Sequence, residues 1–257
     1  MWYNKKIIKD VYDIQQINKK FRYYQVKLET KILNFLSVTT ILNRLGDSKK
    51  VEELREKLSP EMWEYVTKRG TDRGSIMHKY LELFLIELHN TQDKYIALER
   101  AQKLICVDEE VADITEKKFI KLGKDLFWNF WYENWFDDIK HIVFLEIALF
   151  SEKYKFAGTS DYCYINKNNQ FIIGDFKSST SKKTDDDIEK YKMQISAYMQ
   201  ALYEMYNFAP AFGEIKISYN NTIDTFIVKF EDRFKYLNNG FIQMSAAIDK
   251  RFQKNFK

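Results

Sequence analysis

Apolar side chains at Met77, Leu81, Phe84, Leu85 and Leu88 recur every three or four positions, the spacing of one helical face. Ile188, Tyr191, Ile195, Tyr198, Met199 and Leu202 repeat that spacing and predict a helix over residues 187–206. Similar patterns predict helices at residues 49–58, 60–69, 73–89, 94–106 and 113–135, with a last one over 232–252. Ser37 stands where an N-cap would open a further helix. Between these lie segments of another rhythm. Residues 141–150, 155–165 and 170–177 read as strands, as do 213–219 and 224–230, the last two joined at Asn220-Asn221. The run Asn166-Lys167-Asn168-Asn169 predicts a hairpin between the second and third strands. Residues 21–35 suit a strand or hairpin, and residues 1–20 carry a polar, Lys-rich, faintly helical pattern. No repeat and no low-complexity linker interrupts the chain. The order predicts an α/β fold. A helical N-terminal part (residues 1–140) packs on a core with a mixed central β-sheet flanked by helices (residues 141–257), and the whole forms one compact domain.

Charge falls at two informative places. Gly158-Thr159-Ser160-Asp161 and Ile172-Ile173-Gly174-Asp175-Phe176-Lys177 each read as the end of a strand. Charge at the end of a buried strand is costly unless it binds something. Strand side chains alternate, so Asp175 and Lys177 share a face and Phe176 points away. Antiparallel pairing about the 166–169 turn brings Asp161 level with Asp175. Two carboxylates beside an ammonium suit a hard divalent cation next to an anionic substrate.

This constellation resembles the PD-(D/E)XK nuclease superfamily, and within it the stand-alone exonucleases of the RecB type. Asp161 and Asp175-Phe176-Lys177 match the core motif. Upstream, the Gly-rich run from Arg69 to His78 is similar to the family's turn and helix bearing a metal-binding His, with Gly74 at the helix start. Glu146 stands where such enzymes place an accessory acid, and Gln194-Ile195-Ser196-Ala197-Tyr198 matches the Gln-x-x-x-Tyr helix motif. Four motifs in this order are far more specific than a lone Asp-x-Lys. The resemblance implies a restriction-endonuclease-like core and Mg²⁺ or Mn²⁺ held by His78, Asp161, Asp175, the Phe176 carbonyl and Glu146. It implies Lys177, Asp175, Asp161 and Gln194 as catalytic groups, and Tyr198 on the DNA backbone. It further implies a metal-dependent DNA exonuclease acting on single-stranded or processed ends in recombination, repair or replication, with a possible recombination or replication partner. A structure-specific endonuclease on the same fold, or an inactive DNA-binding accessory protein, remains the alternative, because the motif reports hydrolysis and not the mode of cutting.

Plainer readings stand beside these. His78 borders the apolar helical stripe, where Glu82 one turn on could steer its ring. Glu146 could pair with a structural cation. Asp185-Asp186-Asp187 reads as charge favoured by a helix N-terminus, not as a metal cluster. Residues 178–184 form a polar loop leaving the active end of the sheet, suited to phosphate. Most Trp and Tyr belong to the core. Arg69 and Arg73 are singled out as DNA-binding for their closeness to His78.

Composition narrows the class. The 257 residues are 45% hydrophobic and 16% aromatic, a globular balance, and the net charge of +4 is compatible with DNA. Cys106 and Cys163 are the only cysteines, too few for structural zinc or a four-Cys iron–sulfur cluster, and no Walker A run occurs. No apolar run reaches membrane-spanning length and the start lacks a signal-peptide core, so a cytoplasmic protein without membrane contact is expected. Abundant Lys, Asn, Ile, Phe and Tyr point to an AT-rich genome, in a bacterium or a phage-infected cell.

Overall fold

The computed structural model describes residues 12–18, 21–45, 49–111 and 114–256. In chain order the strands are β1 (Asp13–Asn18), β2 (Arg22–Lys27), β3 (Ile32–Ser37), β4 (Ile139–Ser151), β5 (Phe156–Asn166), β6 (Phe171–Ser178), β7 (Phe212–Tyr219) and β8 (Thr222–Lys229). The helices are α1 (Val38–Leu45), α2 (Lys49–Lys57), α3 (Pro60–Thr91), α4 (Lys94–Val111), α5 (Ile114–Tyr132), α6 (Asp185–Tyr206), α7 (Arg233–Leu237) and α8 (Phe241–Phe252).

The eight strands form one mixed sheet in the order β1-β2-β3-β5-β6-β7-β8, with β4 on β5. β3–β5 and β6–β7 are parallel, and the remaining pairs are antiparallel. Helices cover both faces, as expected of a restriction-endonuclease-like α/β core. Alternation sorts β6 between them. Phe171 and Ile173 join the core under α6, whereas Ile172 and Phe176 join the core under α3 and α5. Met77, Tyr80, Leu81, Phe84 and Leu85 of α3 interlock there with Leu126, Phe127 and Phe130 of α5. Each fully buried Leu, Phe or Met side chain of this kind contributes about 1.5–3 kcal/mol.

Three expectations change. Residues 60–69 and 73–89 are one 32-residue helix, α3, opened by Ser59, whose side chain accepts the Met62 N–H, and by Pro60 at its first turn. Gly70 and Gly74 do not break it, since a helical glycine costs only about 1 kcal/mol against alanine. Gly74 is therefore mid-helix, where a Cβ would lie 2.8 Å from Ser178 Oγ, so its lack of a side chain lets α3 close on β6. The final helix, expected unbroken over 232–252, stops after Leu237 and restarts at Phe241, with Gly240 at φ 91° turning the chain. The helical pattern expected over residues 1–20 is replaced at Asp13–Asn18 by strand β1, held to β2 in a full antiparallel register. The first eleven residues, Lys19 and Lys20 lie outside the described residues.

Other expectations hold. Ser37 Oγ accepts the Thr40 N–H at 3.0 Å and caps α1. The triple aspartate opens α6, where Thr184 and Asp187 form a reciprocal capping box. Among the described residues no helix is long and apolar enough to cross a membrane.

Candidate active site

The site is built on a fork in the sheet. β5 and β6 pair from Ile165↔Phe171 to Tyr162↔Gly174 and then part, β6 continuing along β7 as far as Ser178↔Ser218. Asp161 and Asp175 are the first residues past the shared ladder. Asp161 is thus mid-strand in β5 and not, as expected, at a strand end. It is the pairing that ends there. Side chains take up the backbone groups the parting strands leave behind. Ser160 Oγ donates to the Gly174 carbonyl at 2.8 Å, and Asp161 Oδ2 accepts the Phe176 N–H at 2.5 Å.

Two helices and one more strand complete the site. α3 brings His78, whose Nδ1 lies 3.4 Å from Asp161 Oδ2. Its ring stands edge-on to Phe176, centroids 6.0 Å apart. β4 brings Glu146, which stands between the register pairs Leu145↔Tyr162 and Ile147↔Ser160 and so faces Asp161. Its φ of 49° takes it out of the ladder, an uncommon conformation for a residue with a side chain. His78, Glu146 and Asp161 each offer a ligand atom, all within 4.8 Å of one another. One imidazole and two carboxylates at this spacing fit a divalent cation such as Mg²⁺ or Mn²⁺. A cleft lined by Thr71, Gly74, Ser75, Lys79 and Glu82 opens onto His78 and Glu146.

Asp175 and Lys177 share a face, as alternation requires, and form an ion pair. Asp175 is buried and also accepts Gln194 Nε2 at 3.1 Å through Oδ1. Gln194 Nε2 in turn donates to the Tyr198 hydroxyl at 2.8 Å. The Lys177 ammonium lies 5.6 Å from the centre of the Tyr191 ring. Tyr191, three residues before Gln194 on α6, was legible in the sequence only as a core position. Ser160 carried no signal at all.

The electrostatics follow from crowding acids against few cations. Burial pushes the Asp175 carboxyl up, to about 6, with Lys177 opposing and Asp161 adding to the rise. Desolvation raises Glu146 too, and the neighbouring Asp161 charge raises it further. Burial would raise Asp161, but His78, Lys177 and the Phe176 N–H hold it below the usual carboxylate range. Burial would lower His78 and Lys177, yet the carboxylates prevail and both sit above their ordinary values. The site therefore balances its buried carboxylates against the charges of His78 and Lys177.

Three residues expected to contact DNA lie elsewhere. Tyr198, expected on the DNA backbone, is 3% exposed, and its ring packs where a Cβ on Gly158 would approach within 2.6 Å. It buttresses Gln194 and has no face to offer a strand. Arg69 and Arg73 do not line the His78 cleft but a separate one on another flank of α3. Glu82 shares the His78 cleft, and the Nδ1 of His78 faces Asp161.

Among solved structures, "Crystal structure of SSO0001" shares 14% identity, covering 65% of this chain and 74% of that one, at a TM-score of 0.29. A "Putative exonuclease" from Eubacterium rectale shares 13% identity, covering 69% of this chain and 65% of that one, at a TM-score of 0.42. No curated protein matches the chain by sequence. The family description that matches, over residues 49–254, is the PD-(D/E)XK nuclease superfamily, and the chain belongs to it.

Proposed function

We propose that the chain is a Mg²⁺- or Mn²⁺-dependent deoxyribonuclease of the stand-alone RecB type, an exonuclease of single-stranded or processed ends in recombination, repair or replication. One observation carries the reading: the His78, Glu146 and Asp161 donors lie within 4.8 Å of one another, beside the Asp175–Lys177 pair. His78, Glu146 and Asp161 would hold the ion, with Asp175 and the Phe176 carbonyl available to complete its set or to serve a second. When bound, the ion lowers the pKa of a coordinated water and offsets charge on the phosphate.

The chain's own groups do the rest. Asp161 is fixed by the Phe176 N–H, so its free lone pairs point at the site without a rotamer search. Lys177 stays charged between two carboxylates and meets the attacking water or the negative charge gathering on the phosphate. Gln194 positions Asp175, and Asp175 positions Lys177. Tyr198 positions Gln194.

Digestion of end-labelled single- and double-stranded DNA with Mg²⁺ or Mn²⁺, with and without chelator, tests the reading. Cleavage that vanishes with chelator, and that spares circular single-stranded DNA, is expected. Cutting of the circle would replace the exonuclease by an endonuclease of the same fold. No cleavage of any substrate would overturn the proposal.

A further inference from the structure

On another flank of α3 a cavity of about 460 Å³ contains neither His78 nor Glu146. Two guanidiniums, Arg69 and Arg73, line it one helical turn apart. Arg73 is only 9% exposed, and the Nε of each arginine is buried without a hydrogen-bond partner. Burial, and Arg69 next to it, push Arg73 below its ordinary pKa. Asp125 lines the same cavity but pairs with Lys121 at 3.1 Å. A buried guanidinium beside a half-buried one, each with an unspent Nε–H, is costly unless an anion comes to them.

The same cavity is lined by aromatic rings. Trp128 and Tyr132 lie parallel, 29° apart with centroids at 6.1 Å, and Tyr132 is 74% exposed. An exposed ring backed by a second ring is a stacking platform, and cations beside such a platform suit a single strand. The loop after β6 supplies the floor through Thr180, held in place because Ser179 bonds Ser181 and Ser218.

We propose that this cleft is a nucleotide subsite for single-stranded nucleic acid, with a backbone phosphate on Arg69 and Arg73 and a base stacked on Tyr132. It rests on the nuclease reading for its biological purpose, but not for its measurement. Gly74 joins α3 to Ser178, so the subsite and the carboxylate fork adjoin the same end of β6. A strand held here would be positioned without occupying the metal ligands.

The test is fluorescence anisotropy of a labelled single-stranded oligothymidylate, in EDTA across a salt series, with the full chain and Arg69→Gln, Arg73→Gln, Arg69→Lys and Tyr132→Ser. Each Arg→Gln change should flatten the slope of log affinity against log salt by about 0.7, and Arg69→Lys should restore it. Tyr132→Ser should weaken binding about 5- to 100-fold with the slope unchanged. A cooperative thermal melt close to that of the wild type shows that a variant is folded. Arg73 is buried, so Arg69→Gln and Tyr132→Ser decide the matter if Arg73→Gln does not fold. Unaltered slope and affinity in these two overturns the subsite, as does equal binding of blunt duplex that ignores Tyr132. Because binding is read without hydrolysis, an inactive wild type would sink the nuclease reading and leave this result standing.

Discussion

Asp161 accepts the backbone N–H of Phe176 at 2.5 Å, so one carboxylate both closes the end of a β-ladder and belongs to the candidate metal set. Its neighbour Asp175, directly across the fork, is bound instead to Lys177 and Gln194. The two acids therefore differ in what their loss should do. Asp161→Ala strips Phe176 of its acceptor and should lower stability by about 1–3 kcal/mol as well as abolish cleavage. Asp175→Asn keeps an acceptor for Gln194 and should abolish cleavage with little loss of stability. Thermal melts beside a nuclease assay separate them.

Lys177→Met should reduce kcat about 100- to 1,000-fold while Mn²⁺ binding, measured by calorimetry, persists. Loss of Mn²⁺ binding in that variant would mean that Lys177 shapes the ion site and does not act on the phosphate.

Glu146 holds φ at 49°, a conformation that costs a side-chain-bearing residue about 1–2 kcal/mol relative to glycine. Glu146→Gly should thus be more stable than Glu146→Ala by about 1 kcal/mol, a few degrees in Tm. Both should bind Mn²⁺ more weakly than the wild type.

Metal-free stability should fall as pH rises from about 4 through about 6, and again as pH passes the raised His78 value, judged as the difference between the wild type and Asp175→Asn or His78→Gln. The folded protein raises the Asp175 carboxyl to about 6, so between the unfolded value and that point it binds more protons than the unfolded chain. His78 is raised as well, and the stability it gives is lost as pH passes its folded value. Both slopes carry the same sign. Mn²⁺ should release protons on binding and reverse the decline, which calorimetry in buffers of different ionisation enthalpy would read.

Two glycines give opposite outcomes. A Cβ on Gly70 meets nothing within 4 Å, so Gly70→Ala should stabilise α3 by about 0.5–1 kcal/mol. A Cβ on Gly158 falls 2.6 Å from the Tyr198 ring, so Gly158→Ala should cost about 1–3 kcal/mol and displace the Tyr198–Gln194–Asp175 chain, lowering kcat. Denaturant melts and steady-state rates check both.

Strand alternation was enough to put Asp175 and Lys177 on one face and Asp161 opposite Asp175, because period two and one turn determine them. Gln194 and Tyr198 followed from helical spacing, but not that Tyr198 would be buried, since a ring's direction depends on what packs over it, here the bare Gly158. The fork was not legible. Whether β6 leaves β5 depends on β7, which pairs from 40 residues further along the chain. Nor was the continuity of α3, because glycine weakens a helix locally while burial of Met77, Tyr80 and Phe84 upholds it from outside. Arg69 and Arg73 stand close to His78 in sequence, yet helical rotation turns them onto another flank.

α3 also acts as a ruler. At 1.5 Å of rise per residue, Arg73 and Arg69 stand about 8 Å and about 14 Å from His78 along a single rod. A loop would let that spacing drift, whereas a helix cannot change it without breaking hydrogen bonds. If a strand is gripped at one mark and cut near the other, the interval between grip and cut is set by the pitch of the backbone, and lengthening the helix by one turn between Arg73 and His78 should shift it.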